Sequence, residues 1–142
     1  MQTIWITGGS SGIGYAVAKK FLNNNWRVVI SSSNIKKLDL ANKKLKSQTN
    51  KNNIFSLVCD ITNYNNVLKT VSKIEKEISP INLALLGAAA YSPNKTQEFD
   101  IKNYELLIDV NLKGTINCID VLKNFMMNRG NHIAIISSPV GF

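Results

Sequence analysis

Residues able to handle a ligand stand at the start of this chain, in Thr7-Gly-Gly-Ser-Ser-Gly-Ile-Gly14. Gly8 lets the chain turn sharply off the apolar Ile4-Trp5-Ile6, with positive φ. Gly12 leaves room for a bulky anion beside the backbone, and Gly14 lets the next segment pack close against the first. Ser10, Ser11 and Ile13 complete the turn and open a helix that continues through Ala16, Val17, Ala18 and Phe21. The first N–H groups of a helix have no intrahelical partner, and its dipole is positive at that end. A strand, a glycine turn and a helix N-terminus together make a cradle for phosphate. The spacing Gly-x-x-x-Gly-x-Gly departs from the commoner Gly-x-Gly-x-x-Gly. By itself it also suits an ordinary strand-to-helix turn.

Further small or polar clusters follow apolar runs elsewhere: Ser31, Ser32 and Ser33; Asp60 with Ile61; Gly87, Ala88 and Ala89; Ser137 and Ser138. Asn111 interrupts a helical apolar pattern of Leu106, Leu107, Ile108, Val110 and Leu112. Each has a plain alternative. Asp60 suits a turn or a helix cap, Asn111 an exposed helix face, and Ser138 any loop. His132, the single histidine, has no acidic or nucleophilic neighbour and reads as structural. Asp109 and Asp120 read as a solvated face or local ion pairs. Cys59 and Cys118 lie far apart with no metal-ligand spacing, so no metal site is expected and both thiols read as reduced core residues.

These clusters need elements to position them. Continuous apolar, β-branched runs predict strands at Ile4–Ile6, Trp26–Ile30, Ile54–Cys59, Ile81–Leu86 and His132–Ile136. Between them, helical spacing predicts helices from about Gly12, over Ile35–Lys46 with Leu38, Ala41 and Leu45 inward, and over Asn65–Glu77 with Val67, Leu68, Val71 and Ile74 inward. Ser31–Asn34 supplies a cap for the second helix, and Thr62 one for the third. A long helical pattern runs from about Ile101 to Asn128 and ends at Gly130 as a C′ glycine. Tyr91–Phe99, containing Pro93, reads as a loop. Strand–helix alternation throughout predicts one α/β domain over residues 1–142. Its fold is a Rossmann-type doubly wound parallel sheet with right-handed crossovers and five strands in order 3-2-1-4-5. In such a sheet, ligands sit at the carboxyl ends of the strands, where all the clusters above fall.

The chain has 142 residues, 44% of them hydrophobic, and a formal net charge of +8. That length suffices for one domain with a real core. No apolar run is long enough to span a bilayer, and the N-terminus carries no secretory pattern, so a cytoplasmic location is expected. The positive charge could serve nucleic acid. Yet the lysines are scattered over helical faces without interleaved aromatics, so nucleic acid is not an expected partner.

Taken together, the motifs resemble those of the short-chain dehydrogenase/reductase family. Thr7–Gly14 is similar to its Thr-Gly-x-x-x-Gly-x-Gly cofactor motif. Asp60 resembles the aspartate that contacts the adenine ring, Asn111 the active-site asparagine, and Ser138 the catalytic serine, with Gly141 close behind. The resemblance implies an NAD(P)-dependent oxidoreductase moving hydride between nicotinamide and a small carbonyl or alcohol substrate. It implies cofactor contacts at Gly8, Ser10, Ser11, Gly12, Ile13, Gly14, Ser32, Ser33, Asp60, Ile61, Gly87, Ala88 and Ala89, with Asn111 and Ser138 catalytic. Where the family carries Asn-Ala-Gly after the fourth strand, this chain has Gly87-Ala88-Ala89 and lacks the bracing asparagine. The family's position for an acidic residue after the second strand reads Ser32, followed by Ser33, with no carboxylate to bond a ribose 2′-OH; Lys36 and Lys37 follow, which leans toward NADP over NAD.

In the family a catalytic Tyr-x-x-x-Lys follows the serine. The chain stops at Phe142, before that motif, and Tyr91 and Tyr104 are not taken as substitutes. The expectation is therefore a C-terminally incomplete domain, inactive alone, whose fifth strand leaves apolar surface open to self-association. The alternatives are a non-catalytic dinucleotide-binding module and a basic protein that interacts with nucleic acid.

Overall fold

The computed structural model describes residues 1–91 and 100–138. The expected Pro93 loop and Gly141 lie outside the described residues. Five strands, β1 (Thr3–Thr7), β2 (Arg27–Ser32), β3 (Ile54–Val58), β4 (Leu83–Leu86) and β5 (His132–Ile135), form one parallel sheet in order β3-β2-β1-β4-β5, as expected. β1 is central and every one of its residues is buried. Its Trp5 lies between Val29 of β2 and Ala84 of β4.

Alternation along the strands divides the core between two faces. Ile4, Ile6, Val28 and Ile30 point to one side, against Ala18 and Leu22 of α1 (Gly12–Asn23) and Leu38, Ala41 and Leu45 of α2 (Ile35–Thr49). Trp5, Val29, Ala84 and Leu86 point to the other. There they meet Val67 and Val71 of α3 (Tyr64–Lys73) and Cys118, Val121 and Leu122 of α5 (Thr115–Met126). Trp5 also donates its indole N–H to the buried Ser31 Oγ, 3.1 Å away.

Several boundaries differ from expectation for local reasons. α3 is capped by Asn63, whose side chain accepts from the Asn66 N–H, and not by Thr62, which is held in a turn by Asp60. Its inward stripe includes Thr70, while Leu68 is exposed. α3 ends in a wide π-helical turn, Ile74–Ile78. The long helical pattern is realised as α4 (Ile101–Ile108), a π-helical stretch at Asp109–Gly114, and α5. Beyond α5 the left-handed residue is Asn128, at φ 68°; Gly130, at φ 65°, turns the chain two residues later. β4 begins at Leu83, not Ile81.

Candidate functional site

β1 delivers Thr7 to the carboxyl edge of the sheet, and the chain turns at Gly8 with φ +70°. That turn runs so close to β4 that a Cβ on Gly8 would stand 2.8 Å from Ala88 Cα and from the Gly87 carbonyl oxygen. A side chain there would force the two loops apart. The Thr7 hydroxyl ties the same loops together. It accepts from the Gly87 N–H at 3.0 Å and the Ala88 N–H at 3.2 Å. Thr7 thus braces the loop after β4 against β1, a role that the motif reading did not assign.

α1 begins at Gly12 without a side-chain cap: Ser11 is extended and makes no capping bond. By contrast α2, α3 and α4 are capped by Asn34, Asn63 and Asp100. The first N–H groups of α1 therefore keep their unmet demand for an acceptor. Gly12 adopts φ +53°, and a Cβ there would meet nothing within 4 Å. It faces open space.

That space is a cavity of about 600 Å³. From the first turn it is lined by Thr7, Gly8, Ser10, Ser11, Gly12, Ile13 and Gly14. Ser32 and Ser33 border it at the end of β2, Asp60 and Ile61 at the end of β3, and Gly87, Ala88 and Ala89 after β4. Every residue read as cofactor-binding thus borders one cavity. Ser31, Asn34, Lys37, Cys59, Val110 and Ile136 join them; the sequence reading had set Lys37 close by and had not taken the others as cofactor-binding. Asn34 caps α2 by accepting from the Lys37 N–H at 3.0 Å, and both residues border the cavity.

Asp60 closes a turn and also borders the cavity. Its Oδ1 accepts from Thr62 N–H and from Thr62 Oγ1, at 3.0 and 2.8 Å, while the residue borders the cavity. Ser32 Oγ accepts from the Asn34 N–H at 3.2 Å, which leaves its own O–H to donate.

Asn111 and Ser138 do not border the cavity. Asn111 lies in the π-helical stretch, and its amide makes two bonds to one residue. Oδ1 accepts from Ala90 N–H at 2.8 Å and Nδ2 donates to Ala90 O at 3.0 Å. It is therefore not an idle polar group on an exposed face. Ser138 is exposed, three residues beyond β5.

Tyr104 has Ile108 four residues on, but Tyr91 has Lys95 and Tyr15 has Lys19, so the four-residue spacing recurs in this chain. Neither pair follows β5. Tyr15, on α1, donates its hydroxyl to Gln48 Oε1, and Tyr91 is 86% exposed, with Lys95 outside the described residues. Asp109 pairs with Lys113 and Asp120 with Lys123, as local ion pairs on the surface. Burial pushes the Cys59 thiol up, and the Cys118 thiol up to about 12, so both stay protonated at neutral pH. Among the described residues no cluster could hold a metal ion, and no helix is long and apolar enough to cross a membrane.

Residues 2–142 match the family described as short chain dehydrogenase. An uncharacterized oxidoreductase of Staphylococcus saprophyticus is 30% identical over 139 residues, covering 96% of this chain and 58% of that protein. A 3-oxoacyl-(acyl-carrier-protein) reductase of Rickettsia bellii is 34% identical over 142 residues, covering 99% of this chain and 55% of that protein. Among solved structures, a short-chain type dehydrogenase/reductase from Mycobacterium ulcerans superimposes with a TM-score of 0.88 at 25% identity, covering 96% of this chain and 51% of the other. The chain thus spans little more than half the length of these relatives.

Proposed function

Because the chain belongs to the short-chain dehydrogenase family, we propose that it binds a nicotinamide dinucleotide along the carboxyl ends of its strands, for hydride exchange with a small carbonyl or alcohol compound. The observation that carries this reading is the uncapped start of α1, opening at Gly12 onto a cavity of about 600 Å³. A pyrophosphate satisfies those N–H groups and meets the positive end of the helix dipole. When bound, the nicotinamide ring supplies or accepts the hydride. Asp60 and Ile61 are assigned to the adenine end and Gly87–Ala89 to the nicotinamide end, where small side chains permit close approach. Ser138 is assigned to donate its hydroxyl to the oxygen of the reacting carbon, steadying charge that builds there. Asn111 holds the backbone of Ala90 beside that end. None of the described residues is assigned the proton transfer.

The cofactor preference we propose is NADP. Lys37 brings a cation to the cavity wall beside Ser32 and Ser33, and no carboxylate stands at the end of β2. Titration of the purified chain with NADPH and NADH, followed by nicotinamide fluorescence, tests both parts. Saturable binding is expected, lost in Gly12→Asp, whose carboxylate would occupy the phosphate position. Lys37→Glu is expected to weaken NADPH about tenfold or more, equivalent to about 1.4 kcal/mol, and to leave NADH nearly unchanged. Equal binding of NADPH by Gly12→Asp would sink the reading.

A further inference from the structure

We propose that Asn117, a residue outside every motif above, is a positioning residue for the adenine end of the site; the inference rests on the dinucleotide reading. Asn117 lies in the first turn of α5, half-buried, and faces the segment that leaves β3. Its Nδ2 donates to the Ile61 carbonyl oxygen at 2.9 Å and to the Thr62 carbonyl oxygen at 3.3 Å. An amide nitrogen carries two hydrogens, so one side chain serves both carbonyls.

Three residues earlier on the same helical face stands Gly114. A Cβ there would lie 2.6 and 2.7 Å from Cδ1 and Cγ1 of Ile61. The helix thus offers a hollow for the Ile61 side chain and, one turn on, a donor for its carbonyl. Ile61 is 6% exposed, and what it shows borders the cavity.

The other bonds of this segment act differently. Asp60 Oδ1 closes a turn on Thr62, and the Asp60 N–H donates to Asn66 Oδ1 at 3.0 Å. These fix the turn internally and to α3. Asn117 is a tether from the neighbouring helix α5, and it sets where the Ile61 backbone stands relative to the cavity. The packing of α5 itself does not need this amide, since Cys118, Val121 and Leu122 bury its inner face.

The test is competition between NADPH and adenosine-end ligands, 2′,5′-ADP and ADP, for the chain and its variants. Asn117→Asp keeps the shape but sets a carboxylate against two carbonyls. It is expected to raise the Kd of NADPH and of the adenosine-end ligands in parallel, about tenfold. The emission of saturating NADPH is expected to stay as in the unsubstituted chain, because the nicotinamide end is untouched. Asn117→Ala, which removes the donor without adding charge, is expected to move the same Kd values less. Unchanged Kd for the adenosine-end ligands in a folded variant overturns the positioning role alone. So does an altered nicotinamide emission at saturation, or failure of both variants to fold, which would assign Asn117 to the fold itself. No binding of any of these ligands by the unsubstituted chain overturns the dinucleotide reading and this inference together.

Discussion

The Thr7 hydroxyl shows how much can rest on one atom. It accepts from two backbone N–H groups of the β4 loop, and both lose that acceptor in Thr7→Val. A lost acceptor for a sheltered N–H costs about 1–3 kcal/mol. Thr7→Val is expected to lower the urea midpoint accordingly, with Thr7→Ser closer to the original. The buried thiols make a prediction of opposite character. In the fold Cys118 stays protonated up to about 12, against an ordinary value of 9.0, while the unfolded chain releases its proton near the latter. The contribution is complete below pH 9.0 and is lost as pH rises toward 12. Urea unfolding at pH 8 and pH 10.5 should show that loss, reduced in Cys118→Val. At this scale the sequence was informative where residue type is forced by geometry. Gly8 needs positive φ and a close approach to the loop after β4, Gly12 positive φ beside open space, and glycine alone suits both. Asn111 was harder to read, because its partner is the backbone of Ala90, 21 positions away, and a backbone partner leaves no mark in composition.

Among the elements, the helices differ most at their starts. Asn34 and Asn63 cap α2 and α3 by accepting from backbone N–H groups, whereas Ser11 makes no such bond at α1. A helix cap contributes about 1 kcal/mol. Asn63→Ala is therefore expected to destabilise the chain by about that amount. Ser11→Ala is expected to leave the melting temperature within about 1 °C. A large loss in Ser11→Ala would contradict the uncapped geometry. Strands and helices were legible because apolar period and length distinguish them. The π-helical stretch at Asp109–Gly114 was not, since one wide turn within a helix leaves little mark in the apolar period. The cap of α3 was missed by one residue because Thr62 and Asn63 are both good caps by type, and only the Asp60 turn decides between them.

For the molecule as a whole, the parallel doubly wound sheet followed from the alternation of elements, its strand order from the fold class, and the cavity from where small residues interrupt apolar runs. The apolar surface expected at the fifth strand extends further, onto the long helix. β5 is the edge of the sheet among the described residues, with Ile135 53% exposed, and Ile108, Leu112 and Ile116 are exposed along the long helix. We expect this chain to self-associate through that apolar surface. Sedimentation should show concentration-dependent species, which Leu112→Glu combined with Ile116→Lys weakens; a single monomer across the range would refute it. The Thr7 contacts also have a consequence in time. They join positions 80 and 81 residues apart, so bringing the two walls of the cleft together closes a long loop of chain, a slow kind of contact to make. The amplitude of dinucleotide binding therefore counts finished molecules, and a ligand that binds only these draws unfinished ones forward by mass action.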